Sequence, residues 1–290
     1  MPCNATTEPY FTHRRVGFMV ASVLATSLAV TGLGGCGLAE SEPKPSDALL
    51  VVLADLTPSG LLEEAAQRRH ITDVVVPLAI AHDAEVVLAA IDDAALVDPE
   101  PRGGADFDRA VAQGNDVLAE NLLDDARAEL ARDVDDLFAS AAGRPSRGSD
   151  VAGAVAWAAG TLGDANSTSG AGSSGNEVQA AGTSGGAGGG DSAWRGLAVL
   201  SDAISTIPPC TMTRPPLADV EAAITSCFAG TVPDLTGTDA YFLGAGVMPG
   251  GEPTPVDVGL LEAFWTAVVE RGGGSLQAFG PTVLGPTTDT

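Results

Sequence analysis

Leu49-Leu50-Val51-Val52-Leu53-Ala54-Asp55-Leu56-Thr57-Pro58-Ser59 is the stretch that decides how the chain is read. An apolar run ends in an acid, and hydroxyls follow at alternate positions. Such a run, rich in Val and Leu, predicts a strand buried on both faces, as in a parallel sheet. In open α/β sheets, ligands bind at the carboxyl ends of the strands. Asp55, Thr57 and Ser59 would therefore bring three oxygen groups to the binding edge. Hard cations such as Mg²⁺ take oxygen ligands, few of them charged, with water completing the shell. A plainer reading is also open: the acid and Ser59 would simply cap the helix that follows.

Outward from this strand, the pattern alternates. Gly60 to about His70 predicts a helix, with Glu63 and Glu64 where they suit its dipole. Residues 71–81 continue apolar, with Pro77 placed to kink or divide the helix. A second strand is expected at Glu85–Ile91, and a turn or short edge strand within 94–106. Apolar residues at three- and four-residue spacings predict a long amphipathic helix over 107–140. Its acids, including Asp124, Asp125, Asp133, Asp135 and Asp136, read as a solvated face. Gly143–Asp150 is a loop opening onto a helix over Val151–Leu162. Residues 164–193 are low-complexity Gly, Ser, Ala and Thr, expected as a flexible insertion within one domain. Further elements follow: a strand over 196–202, a helix near 217–228, a strand over 240–246, a helix over 255–271 and a last strand over 275–279. Strands alternating with helices predict an α/β fold with a mostly parallel central sheet and helices on both faces.

Composition narrows the function. The 290 residues are 45% hydrophobic, enough for one large aliphatic core. The net charge of −24 argues against nucleic acid, whose phosphates need a basic face. Arg14 and Arg15 precede an acid-free apolar run, Val16–Val30, and then small residues up to Cys36. This is the layout of a secretory signal over residues 1–35, and the run is too short and interrupted to read first as a spanning helix. Leu33-Gly34-Gly35-Cys36 resembles the bacterial lipobox, which implies lipidation at Cys36, a linker over 36–47 and a chain held on the outer face of the cytoplasmic membrane. An oxidising exterior permits a disulfide between the two remaining cysteines, Cys210 and Cys227, which otherwise would be buried thiols.

Three loops now combine: Asp55-Leu56-Thr57-Pro58-Ser59, Gly148-Ser149-Asp150-Val151 and Leu200-Ser201-Asp202. Their order and chemistry resemble the von Willebrand factor type A domain. That family builds a metal-ion-dependent adhesion site from D-x-S-x-S, a Thr in a later helix-opening loop and an Asp ending a later strand. The resemblance implies a Rossmann-like three-layer sandwich over residues 48–282, ahead of a tail at 283–290. It implies metal ligands at Asp55, Thr57, Ser59, Ser149 and Asp202. The ion would be Mg²⁺, with Mn²⁺ or Ca²⁺ as alternates. A protein or peptide partner would supply a carboxylate to it. Three departures stand out: Thr57 replaces the usual Ser, Ser149 the usual Thr, and Ala203 follows Asp202 where Gly is common. Helix capping remains an alternative for Ser149 and Asp150, as does a backbone-satisfied strand end for Asp202.

Enzyme readings are weaker. His13, His70 and His82 fall in no triad spacing, and the chain has neither a G-x-S-x-G elbow nor a P-loop. Gly244-Ala245-Gly246 lacks the third glycine of a dinucleotide fingerprint. An aspartate-nucleophile phosphatase would need an acid where Thr57 stands. A solute-binding lipoprotein would need two lobes, and 4% aromatic content gives little for sugar stacking. The expectation is therefore a binding lipoprotein, not an enzyme. The alternatives are a metal-free structural or assembly module of the same fold and, below it, a metal-dependent phosphoesterase.

Overall fold

All seven residues of β1 (Leu49–Asp55) are buried. They pair in parallel with β2 (Glu85–Ile91) on one side and β4 (Arg195–Leu200) on the other. In the computed structural model the described residues are 47–93, 101–112, 114–141, 148–169, 193–213, 217–246 and 256–281. The signal at 1–35, Cys36, the linker up to residue 46 and the tail at 283–290 lie outside them. So do 94–100, 142–147 and most of the expected insertion, 170–192.

The remaining strands are β3 (Gly103–Asp106), β5 (Thr238–Leu243) and β6 (Ser275–Gly280). The six-stranded sheet runs β3-β2-β1-β4-β5-β6. Four pairings are parallel, and β3 closes one edge antiparallel to β2. This is the mostly parallel α/β sheet that the alternating sequence predicts. The order reverses between β1 and β4, the point where open sheets leave a crevice at their carboxyl ends.

Two cores sandwich the sheet. Leu49, Val51 and Leu53 of β1 pack with α5 (Val151–Ser169), α6 (Val220–Phe228) and α7 (Val258–Arg271). Leu50, Val52 and Ala54 face the other way, against the stretch from Ile71 to α3 (Val76–His82) and against α4 (Asp116–Ala141). Alternation along a strand sends neighbouring residues to opposite faces, so a strand covered on both sides must be apolar throughout. The short α1 (Pro58–Leu62) and α2 (Glu64–His70) connect β1 to this second layer.

Element ends differ from the sequence reading for local reasons. α4 begins at Asp116, not near 107, because Gly114 takes φ +79° and the Asn115 side chain accepts from Leu118 N at 3.1 Å, a helix N-cap. The widened helical turn over Ile71–Val75 precedes α3, whose first turn holds Pro77. Proline has no N–H to return to the turn before it, so the helix changes register there instead of running on. β5 stops at Leu243 because Gly244 and Gly246 adopt φ +92° and +73°. Asp219 and Asp257 cap α6 and α7 and set their starts at 220 and 258. α5 continues to Ser169, so the first residues of the expected insertion are helical. Cys210 and Cys227 are joined at an S–S distance of 2.02 Å and fasten the loop after β4 to α6. Among the described residues no helix is long and apolar enough to cross a membrane.

Candidate functional site

The β1–β4 register pairs Ala54 with Leu200, so Asp55 and Ser201 come out of the sheet side by side. Asp55 is 1% exposed, and four groups donate to its carboxylate. Oδ1 accepts from Thr57 N at 2.9 Å and Thr57 Oγ1 at 2.7 Å. Oδ2 accepts from Ser201 Oγ at 2.9 Å and Ser149 Oγ at 3.2 Å. Thr57 Oγ1 also lies 3.0 Å from Ser59 Oγ. Asp202 joins through Ser201, whose Oγ is 3.4 Å from Asp202 Oδ1. The five residues singled out from the sequence thus meet in one network at the switch in strand order.

Each loop is held by its own backbone contacts. Ser59 lies inside α1, past the position that caps a helix. In the second loop the capping role falls to Asp150, whose Oδ1 accepts from Gly153 N at 2.9 Å, and this leaves the Ser149 hydroxyl for Asp55. Ser149 and Thr206 are tied reciprocally: Thr206 Oγ1 accepts from Ser149 N, and Thr206 N donates to Ser149 O, both at 2.8 Å. Asp150 N donates to Asp92 O after β2 at 3.0 Å. In the third loop, Asp202 Oδ1 accepts from Ile204 N at 2.9 Å, so its strand-end reading is also partly realised. Ala203 takes φ +64°, a left-handed conformation suited to glycine, and its carbonyl accepts from the buried Trp265 Nε1 at 2.9 Å.

Electrostatics set the state of the two acids. Burial pushes the Asp55 carboxyl above its ordinary range, against the opposing donors from Thr57, Ser201 and Ser149. Burial raises Asp202 to about 7; the Ile204 N–H opposes the shift, and the Asp55 charge adds to it. Among the described residues, no group of three or more His, Cys, Asp or Glu side chains is placed to hold a metal ion. The cluster has two carboxylates, and its other oxygens are hydroxyls.

Two contributors were not singled out from the sequence. Ser201 directly precedes Asp202, and the resemblance singled out only Asp202 of the pair. The signal was the register, which aligns Ser201 with Asp55. Gln67 is 4% exposed, and its amide serves the main chain under the site. It is an uncharged amide among Glu63, Glu64, Arg68 and Arg69, the pattern of a polar side chain turned inward. No family model matches the chain, and neither a curated protein nor a solved structure matches it.

Proposed function

We propose that the chain carries a von Willebrand A-like domain, anchored by lipid at Cys36 outside the cytoplasmic membrane, which binds a protein or peptide partner through a divalent ion. The observation that carries this reading is the four-donor arrangement around Asp55 with Asp202 beside it. A hydroxyl that gives its proton to a carboxylate keeps its lone pairs. Thr57 and Ser149 therefore orient Asp55 while retaining oxygen lone pairs for a cation. Two desolvated acids in one cluster favour protonation when alone and ionisation beside a positive charge, which fits the donor set to a hard cation.

Asp55, Thr57, Ser59, Ser149 and Asp202 would hold the ion, Mg²⁺ first and Mn²⁺ or Ca²⁺ as alternates. When bound, the ion supplies an electrophilic position that a partner's carboxylate completes. No nucleophile or general base is needed, so the domain binds and does not turn over substrate. The test is calorimetry of Mg²⁺ with the wild-type protein and with Asp55→Ala. Binding that is lost in the variant supports the site; absence of binding in the wild type overturns it.

One observation favours a second reading. Both oxygens of Asp55 are already satisfied within the protein, so the network is complete without an ion. A metal-free structural or assembly module of the same fold uses these bonds only to join three loops. Its partner binding would be indifferent to EDTA, whereas the first reading requires that EDTA abolish it.

A further inference from the structure

Beside the oxygen cluster lies a cavity of about 110 Å³. Asp55 and Asp202 contribute to its wall, as do Ala66 and His70 of α2, Leu243 at the end of β5 and Pro281 just after β6. His70 is 4% exposed, and its Nδ1 has no hydrogen-bond partner among the described residues. One turn earlier, Gln67 uses its amide fully on the main chain of Asp55 and Gly60. Helix α2 thus turns two polar side chains inward. One is satisfied and the other is left open, a state that folded proteins rarely leave unexplained.

We propose that this cavity is a side-chain subsite of the metal-dependent recognition site, taking an asparagine-sized side chain with a carboxamide tip, carried next to the carboxylate that meets the ion. The inference rests on the metal reading above. Size comes first: a cavity of about 150 Å³ holds benzene, so this one suits about four or five non-hydrogen atoms, too few for Lys or Arg. Charge comes second. Glu63, which is not an ion ligand, lines the same space and disfavours an anionic tip. Hydrogen bonding comes third. Burial, with Arg69 close by, keeps the imidazole neutral, so one ring nitrogen donates and the other accepts. A carboxamide carries both a donor and an acceptor and satisfies Nδ1 in either tautomer. A leucine side chain has the same number of heavy atoms and satisfies neither.

The experiment uses N-acetyl-asparagine, N-acetyl-leucine and N-acetylglycine as probes, each with a free carboxylate. Binding is followed by calorimetry in Mg²⁺ and in EDTA, and by the imidazole nitrogen resonances of His70. In Mg²⁺, N-acetyl-asparagine is expected to bind about tenfold tighter than the other two and to shift Nδ1. The preference should vanish in His70→Phe. If that variant does not fold, the His70 resonances of the wild type still decide the question. Equal binding of the three probes, or an unmoved Nδ1, overturns the subsite and leaves the metal reading standing. An asparagine preference that persists unchanged in EDTA supports the cavity and overturns the metal reading. No binding under either condition overturns both.

Discussion

The side-chain amide of Gln67 pairs with the main chain of Asp55 in both directions. Its Oε1 accepts from Asp55 N at 3.1 Å, and its Nε2 donates to Asp55 O at 2.9 Å. The same Nε2 donates to Gly60 O, also at 2.9 Å. The register with β4 ends one residue earlier, at Ala54 and Leu200, and a helix side chain continues the pairing in place of a strand. This fixes the backbone from which the Asp55 carboxylate projects.

Gln67→Leu keeps the apolar stem and removes all three bonds. Buried donors and acceptors left without partners cost about 1–3 kcal/mol each before relaxation. The expected loss is roughly 2–4 kcal/mol of stability in urea unfolding and, on the proposed metal reading, weaker Mg²⁺ binding. Unchanged stability would show that water replaces the amide.

Gly60 limits the same loop sterically. A Cβ there would collide with the backbone Asp55 O and lie 2.7 Å from Asp55 Cγ. Gly60→Ala should cost about 1–3 kcal/mol in thermal unfolding and shift the Asp55 carboxylate. Wild-type Mg²⁺ affinity in this variant would mean that the carboxylate position is set elsewhere.

The pH dependence follows from Asp202, which burial raises from 3.8 to about 7. Between these values the folded chain holds a proton that the unfolded chain has released. The group's favourable contribution is therefore complete below the unfolded value and is lost as pH rises through the folded one. Asp55, also raised, acts with the same sign. Without metal, these two acids should lower the melting temperature between about pH 5 and about pH 8. On the proposed metal reading, Mg²⁺ should restore it near pH 8 and do little near pH 5, because binding must displace the proton. Melting curves with and without Mg²⁺ test this; equal stabilisation at both ends would contradict it.

The Cys210–Cys227 bond closes a loop of sequence separation 17. Loop-closure entropy assigns such a cross-link about 3 kcal/mol. Reduction, or replacing both cysteines by Ala, should lower stability by that order while leaving the cluster around Asp55 formed. Loss of Mg²⁺ binding on reduction would mean that the loop after β4 depends on the cross-link for its position.

Much of the architecture was legible in the sequence. β1, β2 and β4 are continuous apolar runs, and only a doubly covered strand tolerates Leu49 to Ala54 in a row. The three oxygen-bearing loops were legible because each follows such a run or opens a helix. The element ends were less so, since Gly114 with Asn115 and the glycines after Leu243 act through backbone conformation rather than hydrophobic pattern. Ser201 was hidden because its role comes from lying beside Asp55 across two paired strands. Gln67 was hidden because the groups it satisfies are main-chain atoms, which every sequence has alike.

Asp55 lies 146 residues from Ser201 and 94 from Ser149, yet both serines donate to its carboxylate. Only the Thr57 half of the Asp55 shell is local; the Ser201 and Ser149 donors arrive by long-range closure, which costs chain entropy during folding. A chain whose β1 has formed but whose β4 is still unpaired keeps the Thr57 donors on Oδ1 of Asp55 and lacks the Ser201 donor on Oδ2. On the proposed metal reading, the full ligand set is in place only once β1 and β4 have paired. On the same proposal, an incompletely folded copy would lack the complete site that a partner needs.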